Sequence, residues 1–196
     1  MTTDYAAIYD HQITTNPSYS LAEHSPGFKA VLEHAHRLSR ITGMSLDVGC
    51  GAGFVVELLR NVPFSLDAFG VDVSPESVAI AAKRNGERRI TQTDGVTLPF
   101  AAETFDLVTC FDVLEHLDEP DVPHFCDELR RVCRPGGLVM CSIALREASA
   151  IDQFGDNVHR TVRPFDWWTP YVQPDEAHWV RNPAQAICWH TKRAGA

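Results

Sequence analysis

Apolar positions along the chain keep two alternating rhythms. Over residues 26–40, Phe28, Val31, Leu32, Ala35 and Leu38 recur at helical spacing, and Ile41-Thr42-Gly43 ends the run. Met44–Val48 then reads as a short strand entering a glycine loop, and Phe54–Arg60 as a helix stopped by Asn61-Val62-Pro63. Residues 66–71 form a second strand. Ser74-Pro75-Glu76 offers a cap and an early proline to a helix carrying Val78, Ala81 and Ala82, which ends at Asn85-Gly86. Residues 89–92 make a weaker third strand. Phe105–Phe111 is the strongest, with the composition of a strand buried on both faces. Val122, Phe125, Leu129 and Val132 mark a further helix, after which Arg134-Pro135-Gly136-Gly137 turns the chain into a fifth strand, 138–144. Residues 178–181 and 186–192 are candidate closing strands. Residues 1–17 are polar, end in Asn16-Pro17 and read as a lead-in arm.

Strands that alternate with helices predict an α/β fold, a doubly wound and mainly parallel sheet of seven strands with helices on both faces. At 196 residues, 44% hydrophobic and 22% charged, the chain suits one globular domain spanning 1–196. Within it, 1–25 is the arm, 44–144 the ligand-binding core and 145–196 a segment expected on the substrate side. No run approaches the ~20 apolar residues of a membrane span. Met1-Thr2-Thr3-Asp4-Tyr5 has no secretory signal character, so a cytoplasmic location without a membrane partner is expected. The six cysteines form no CxxC and read as reduced core thiols. A net charge of −9, with only Lys83-Arg84, Arg88-Arg89 and Arg130-Arg131 as basic clusters, disfavours a nucleic-acid partner and leaves a small molecule. Nothing in the sequence signals an oligomeric state.

Candidate chemistry starts at Asp47-Val48-Gly49-Cys50-Gly51-Ala52-Gly53, between a strand and a helix, where ligands meet the carboxyl edge of a parallel sheet. A GxGxxG reading from Gly49 fails at Phe54, and a Walker loop would need a terminal Gly-Lys-Ser/Thr, so a nicotinamide dehydrogenase is disfavoured. Asp47 opposes a diphosphate but suits a ligand carrying an ammonium and a sulfonium. Asp72, ending the second strand, is placed to accept both hydroxyls of a ribose. Asp94, after the third, is placed to accept from an adenine amine. Three acids at successive strand ends, in order with the glycines, form one correlated signal.

The motifs DVGCGAG, GVDVSPESV, TDGVTLPF, FDLVTCFDVLEHL and LRRVCRPGGLVM, covering roughly residues 44–144, resemble those of class I S-adenosylmethionine-dependent methyltransferases, in particular the broad small-molecule type 11 group. The resemblance implies S-adenosylmethionine as cofactor and methyl transfer to a small-molecule oxygen or nitrogen. It further implies that Gly49, Cys50, Gly51 and Gly53 contact the methionine part, Asp72 the ribose and Val73 the adenine face. Gly95 with Asp94 would border the adenine edge, and Cys110 and Phe111 the methionyl moiety.

Methyl transfer from a sulfonium needs alignment and exclusion of water, and a general base when the acceptor is a hydroxyl or a protonated amine. His116 and Glu115 follow the strongest strand at the mouth of the expected site, and His159 lies downstream; these three are the catalytic candidates. If residues 112–116 turn helically, Asp112, Glu115 and His116 share one face and offer ligands for a divalent metal. That Acid-xx-Glu-His pattern is similar to the metal site of ubiquinone-pathway O-methyltransferases and small-RNA 2′-O-methyltransferases, which carry Glu where this chain has Asp112; His159 is a possible counterpart of a further histidine in the RNA enzymes. The same spacing also occurs in type 11 enzymes without metal. His159-Arg160-Thr161-Val162-Arg163-Pro164-Phe165-Asp166-Trp167-Trp168 either closes over the acceptor or packs this end onto the sheet. Tyr5 and Tyr9 either cover the cofactor or anchor the arm. Glu33, His34 and His36 offer no metal site, because i and i+2 point apart on a helix. A further alternative is a catalytically inactive regulatory protein that only binds the cofactor.

Overall fold

Each central strand sends alternate side chains into two different cores, as a sheet covered on both faces requires. The computed structural model describes residues 3–16, 19, 21–181 and 184–193. Its strands are β1 (Met44–Val48), β2 (Asp67–Asp72), β3 (Ile90–Gln92), β4 (Phe105–Phe111), β5 (Cys133–Ala144), β6 (Glu176–Arg181) and β7 (Gln185–Thr191). They form a seven-stranded sheet in the order β3-β2-β1-β4-β5-β7-β6. The first five run parallel, and β7 enters antiparallel between β5 and β6.

Leu46, Val48, Val108, Cys110, Val139 and Cys141 join one core with α6 (Val122–Val132) and α7 (Phe165–Val172). Leu107, Leu138, Met140 and Trp189 join the other with α2 (Pro26–Glu33), α4 (Phe54–Arg60) and α5 (Pro75–Asn85). All six cysteines are free and buried. No helix among the described residues is long and apolar enough to cross a membrane.

Three local expectations are corrected. Much of the lead-in arm is a helix, α1 (Tyr5–Thr15), capped by the Asp4 carboxylate, which accepts from Ala7 N at 3.0 Å. Its buried positions are Tyr5, Ile8, Gln12 and Ile13, and the polar Gln12 hides the stripe in the sequence. The helix over 26–40 breaks at His34 into α2 and a short α3 (Ala35–Leu38), where the His34 ring packs edge-on to Trp189 at 5.0 Å. The turn at residues 134–137 is instead a bulge inside β5: pairing passes from Phe105↔Cys133 to Leu107↔Leu138.

Candidate active site

The carboxyl ends of β1, β2 and β4 open into a cavity of about 440 Å³, roofed by α1 and by the segments before α2 and after β5. Asp47, Gly49, Cys50, Gly51, Asp72, Val73, Gly95, Phe111, Asp112, His116 and His159 line it. Of the other sequence-predicted residues, Gly53, Asp94, Cys110 and Glu115 do not.

Asp47 is buried between β2 and β4 and accepts from Thr109 Oγ1 at 2.7 Å. Burial pushes its carboxyl up to about 7, and the neighbouring Asp72 adds to this against the Thr109 bond. Gly49 N and Cys50 N both donate to Val71 O at 2.9 Å, folding the loop back over β2. Gly49 has φ +74°, and a Cβ there would lie 2.4 Å from Val113 Cγ2. Gly51 has φ +51° with nothing within 4 Å of an added Cβ, so a side chain would project into open space beside the cavity it lines.

Asp72 accepts from Gly51 N at 2.8 Å and from Ser74 N at 3.0 Å, one bond to each carboxylate oxygen. Burial raises its carboxyl while these amides lower it. Each oxygen keeps a lone pair for a ribose hydroxyl. Gly53 plays a different part from the expected one: its φ is +78° at the start of α4, and a Cβ would strike Asn85 Nδ2 at 2.5 Å, so it lets α4 approach α5. Asp94 shapes the backbone beside the cavity. Its Oδ1 accepts from Val96 N and Thr97 N at 2.9 and 2.7 Å, shaping a turn that presents Thr93 and Gly95 to the cavity. Cys110 is fully buried, because strand alternation turns it away from the cavity while Phe111 faces in.

The catalytic candidates converge from distant parts of the chain. His116 ends a 3-10 turn, Leu114–His116, and its Nδ1 meets Val158 O at 2.9 Å. His159 Nδ1 meets Arg146 O at 2.6 Å. A carbonyl can only accept, so each Nδ1 carries the proton and each Nε2 keeps a free lone pair. The rings meet edge to face at 4.7 Å. Burial lowers His116 to about 3, with His159 adding, and burial also lowers His159; both are neutral at ordinary pH. Glu115 is fully buried; its Oε1 accepts from Ala144 N at 2.9 Å, and its Oε2 has no partner among the described residues. Burial, then Asp112, holds its carboxyl well above the usual range.

Ligand atoms of Glu115, His116 and His159 lie within 4.8 Å of one another. Asp112 stands outside this group, which corrects the helical-face expectation. Its φ of +51° and the 3-10 turn that follows take it off a common face with Glu115 and His116.

Tyr5 and Tyr9 both reach the cavity from α1. Tyr5 Oη donates to Asp121 at 2.8 Å and accepts from Asp118 N at 2.9 Å, while Tyr9 stands edge-on to His116 at 5.4 Å. Trp167 and Trp168 take the packing role: Trp168 is fully buried, donates to Arg163 O at 3.2 Å and meets Trp167 edge-on at 5.0 Å. Sequence reasoning missed Asp10, whose carboxylate accepts from Ser74 Oγ and Glu76 N and so clips α1 to the start of α5. It also missed Gln185 and Arg146, which line the cavity from β7 and from the segment after β5.

The fold and site define an enzyme of the methyltransferase kind, with a buried acid, Asp72, at the end of β2 and a glycine loop after β1 on the cavity wall. Residues 46–141 match the family described as "Methyltransferase domain". A ubiquinone biosynthesis O-methyltransferase of Cereibacter sphaeroides is 26% identical over 144 residues, covering 68% of this chain and 56% of that protein. The chain thus spans about half the length of the curated relatives it matches. The PH0226 protein of Pyrococcus horikoshii shares the fold at TM-score 0.74 and 18% identity, over 93% of this chain and 99% of that one. A SAM-dependent methyltransferase of Aquifex aeolicus shares it at TM-score 0.63 and 19% identity, over 92% and 96%. The chain belongs to the class I S-adenosylmethionine-dependent methyltransferases of the type 11 group, and S-adenosylmethionine is the cofactor of this domain.

Proposed function

We propose that the protein transfers the methyl group of S-adenosylmethionine to a hydroxyl oxygen of a small acceptor. The observation that carries this reading is the His116–His159 pair: two neutral imidazoles on the cavity wall, each with its Nδ1–H held by a backbone carbonyl. A neutral amine attacks a sulfonium methyl unaided, whereas a hydroxyl becomes a competent nucleophile only as it loses its proton. A free Nε2 is the group that takes that proton. Asp72 and the close-approaching backbone of the glycine loop hold the cofactor, and Tyr5, Tyr9 and Phe111 exclude water from the line of transfer. The bound cofactor supplies an already activated methyl group. The O-methyltransferase relative supports oxygen as the acceptor atom.

A second reading adds a divalent metal at Glu115, His116 and His159. Glu115, whose Oε2 has no partner among the described residues, offers a ligand atom within 4.8 Å of ligand atoms of His116 and His159, a set that fits such an ion. A cation held there would make a neighbouring hydroxyl more acidic.

Incubating extracts with methyl-labelled cofactor and identifying the labelled products by mass spectrometry tests the proposal. O-methyl products are expected, with turnover falling by about 10²–10⁴-fold in His116→Ala or His159→Ala at unchanged cofactor affinity. Exclusively N-methylated products, or variants as fast as wild type, would refute it. Activity lost to a chelator and restored by a divalent metal selects the second reading; activity indifferent to chelation selects the first.

A further inference from the structure

Asp112 is the one acidic candidate of its motif that the Glu115–His116–His159 group leaves out, and its surroundings give it a separate task. It closes β4 where three strand ends meet: Phe111 pairs with Ser142 on β5, and Ala144 pairs with Gln185 on β7. Its backbone takes φ +51°, a region that disfavours a side chain with a Cβ and is kept where the surroundings enforce it. The enforcement is visible. Asp112 N donates to Ser142 O at 3.1 Å and to Ser142 Oγ at 3.0 Å, and Ser142 Oγ returns its own proton to Asp112 Oδ1. Gln185 Nε2 donates to the same Oδ1 at 2.7 Å.

Oδ1 therefore receives two donors, while Oδ2 has no hydrogen bond among the described residues and is not one of the side-chain oxygens sealed from contact without a partner. The residue lines the cavity together with Gln185, which bonds it, and with His159 and Arg146, which act electrostatically on its carboxyl. The result is a carboxylate locked in direction, with one oxygen consumed by the scaffold and the other left to a ligand. Such a group accepts hydrogen bonds and offers none.

We propose that Asp112 is a specificity-determining residue whose Oδ2 accepts a hydrogen bond from a second group, a hydroxyl or an amino group, next to the hydroxyl that is methylated. This rests on the O-methylation reading above and deepens it. Leaving a fixed carboxylate oxygen unpaired in a closed site is costly, so an acceptor that lacks the donor binds more weakly. The rings of Tyr9, Phe111 and His116 on the cavity wall favour a flat scaffold for that acceptor.

Asp112→Asn separates this role from others. Because Ser142 and Gln185 both donate to the Oδ1 position, the amide oxygen takes that place and the NH₂ takes the place of Oδ2, turning the free acceptor into a donor. Calorimetry on protein saturated with S-adenosylhomocysteine, with phenol, catechol and 2-aminophenol as probes, reads the effect. Wild type is expected to bind catechol and 2-aminophenol at least about tenfold more tightly than phenol, the discrimination one charged hydrogen bond gives. Asp112→Asn is expected to lose that preference while keeping its affinity for S-adenosylhomocysteine. A merely structural role would weaken all three probes and the cofactor product together, and would overturn the proposal. Equal affinities in wild type, a preference that survives in Asp112→Asn, or no binding of any probe would overturn it too. Labelled methyl transfer to a monohydroxy acceptor at a rate indifferent to Asp112→Asn would remove this proposal and leave the O-methylation reading standing.

Discussion

Asp47 carries a buried carboxyl whose only side-chain hydrogen-bond partner among the described residues is Thr109, with Asp72 close enough to repel it. Its pKa of about 7 in the folded protein lies far above that of an unfolded aspartate. The raised value means that the folded state holds the proton more tightly. Its stabilising effect is complete below pH ~4, the unfolded pKa, and is lost as pH rises through about 7. Thermal melts of the cofactor-free protein should therefore fall in midpoint between pH 5 and pH 8, and Asp47→Asn should flatten that slope. S-adenosylmethionine, whose cationic part suits an ionised Asp47, should flatten it as well. A slope unchanged by Asp47→Asn would assign the pH dependence to other groups. Residues of this kind were legible in the sequence because they sit at strand ends, where local pattern dictates position. Asp94 was half legible: its place after β3 was right, but a short polar side chain next to a turn satisfies the nearest amides first, and the structure shows it doing so.

At the scale of elements, α1 is the part the sequence concealed and the site depends on. It covers the cavity with Tyr5 and Tyr9 and is tethered at three places: Tyr5 to the 118–121 segment, Asp10 to the start of α5, and Gln12 to Ile151 O at 3.1 Å. The Asp10 tether doubles as a cap for α5, since it accepts from Glu76 N. Asp10→Ala should lower stability by about 1 kcal/mol, the usual worth of a cap, and speed release of S-adenosylhomocysteine several-fold in stopped-flow measurements. A stability loss with an unchanged release rate would mean that α1 caps the fold without gating the cofactor. The strands and the β1–α4, β2–α5 and β4–α6 order were readable from apolar rhythm, because a sheet buried on both faces imposes it on every strand. The His116–His159 contact was not. It is made by Val158 O and Arg146 O, backbone groups of a segment without regular structure whose course no side-chain pattern encodes.

For the whole molecule, the order β3-β2-β1-β4-β5-β7-β6 places the point where the strand order reverses between the parallel strands β1 and β4, and the cavity opens at the carboxyl ends of those strands. The two halves of the site follow from that layout. Residues of β1, β2 and the glycine loop line one side of the cavity, the cofactor side in the function proposed above, and residues after β4, after β5 and at the start of β7 line the acceptor side of that proposal. The first half is local in sequence, and Asp47, Gly49, Cys50, Gly51, Asp72 and Val73 line the cavity at the strand ends and loop where the sequence put them. The second is assembled by tertiary contacts such as Ser142–Asp112–Gln185, for which the motif alone suggested a metal ligand. The central claim is that this edge holds S-adenosylmethionine through its ribose at Asp72. Calorimetric titration of S-adenosylhomocysteine into wild type and Asp72→Ala tests it most directly. One site is expected in wild type, with binding weaker by about 1–3 kcal/mol in the variant, a loss of roughly fivefold to 150-fold. No binding to wild type, or equal affinity in both, would contradict the assignment of the site.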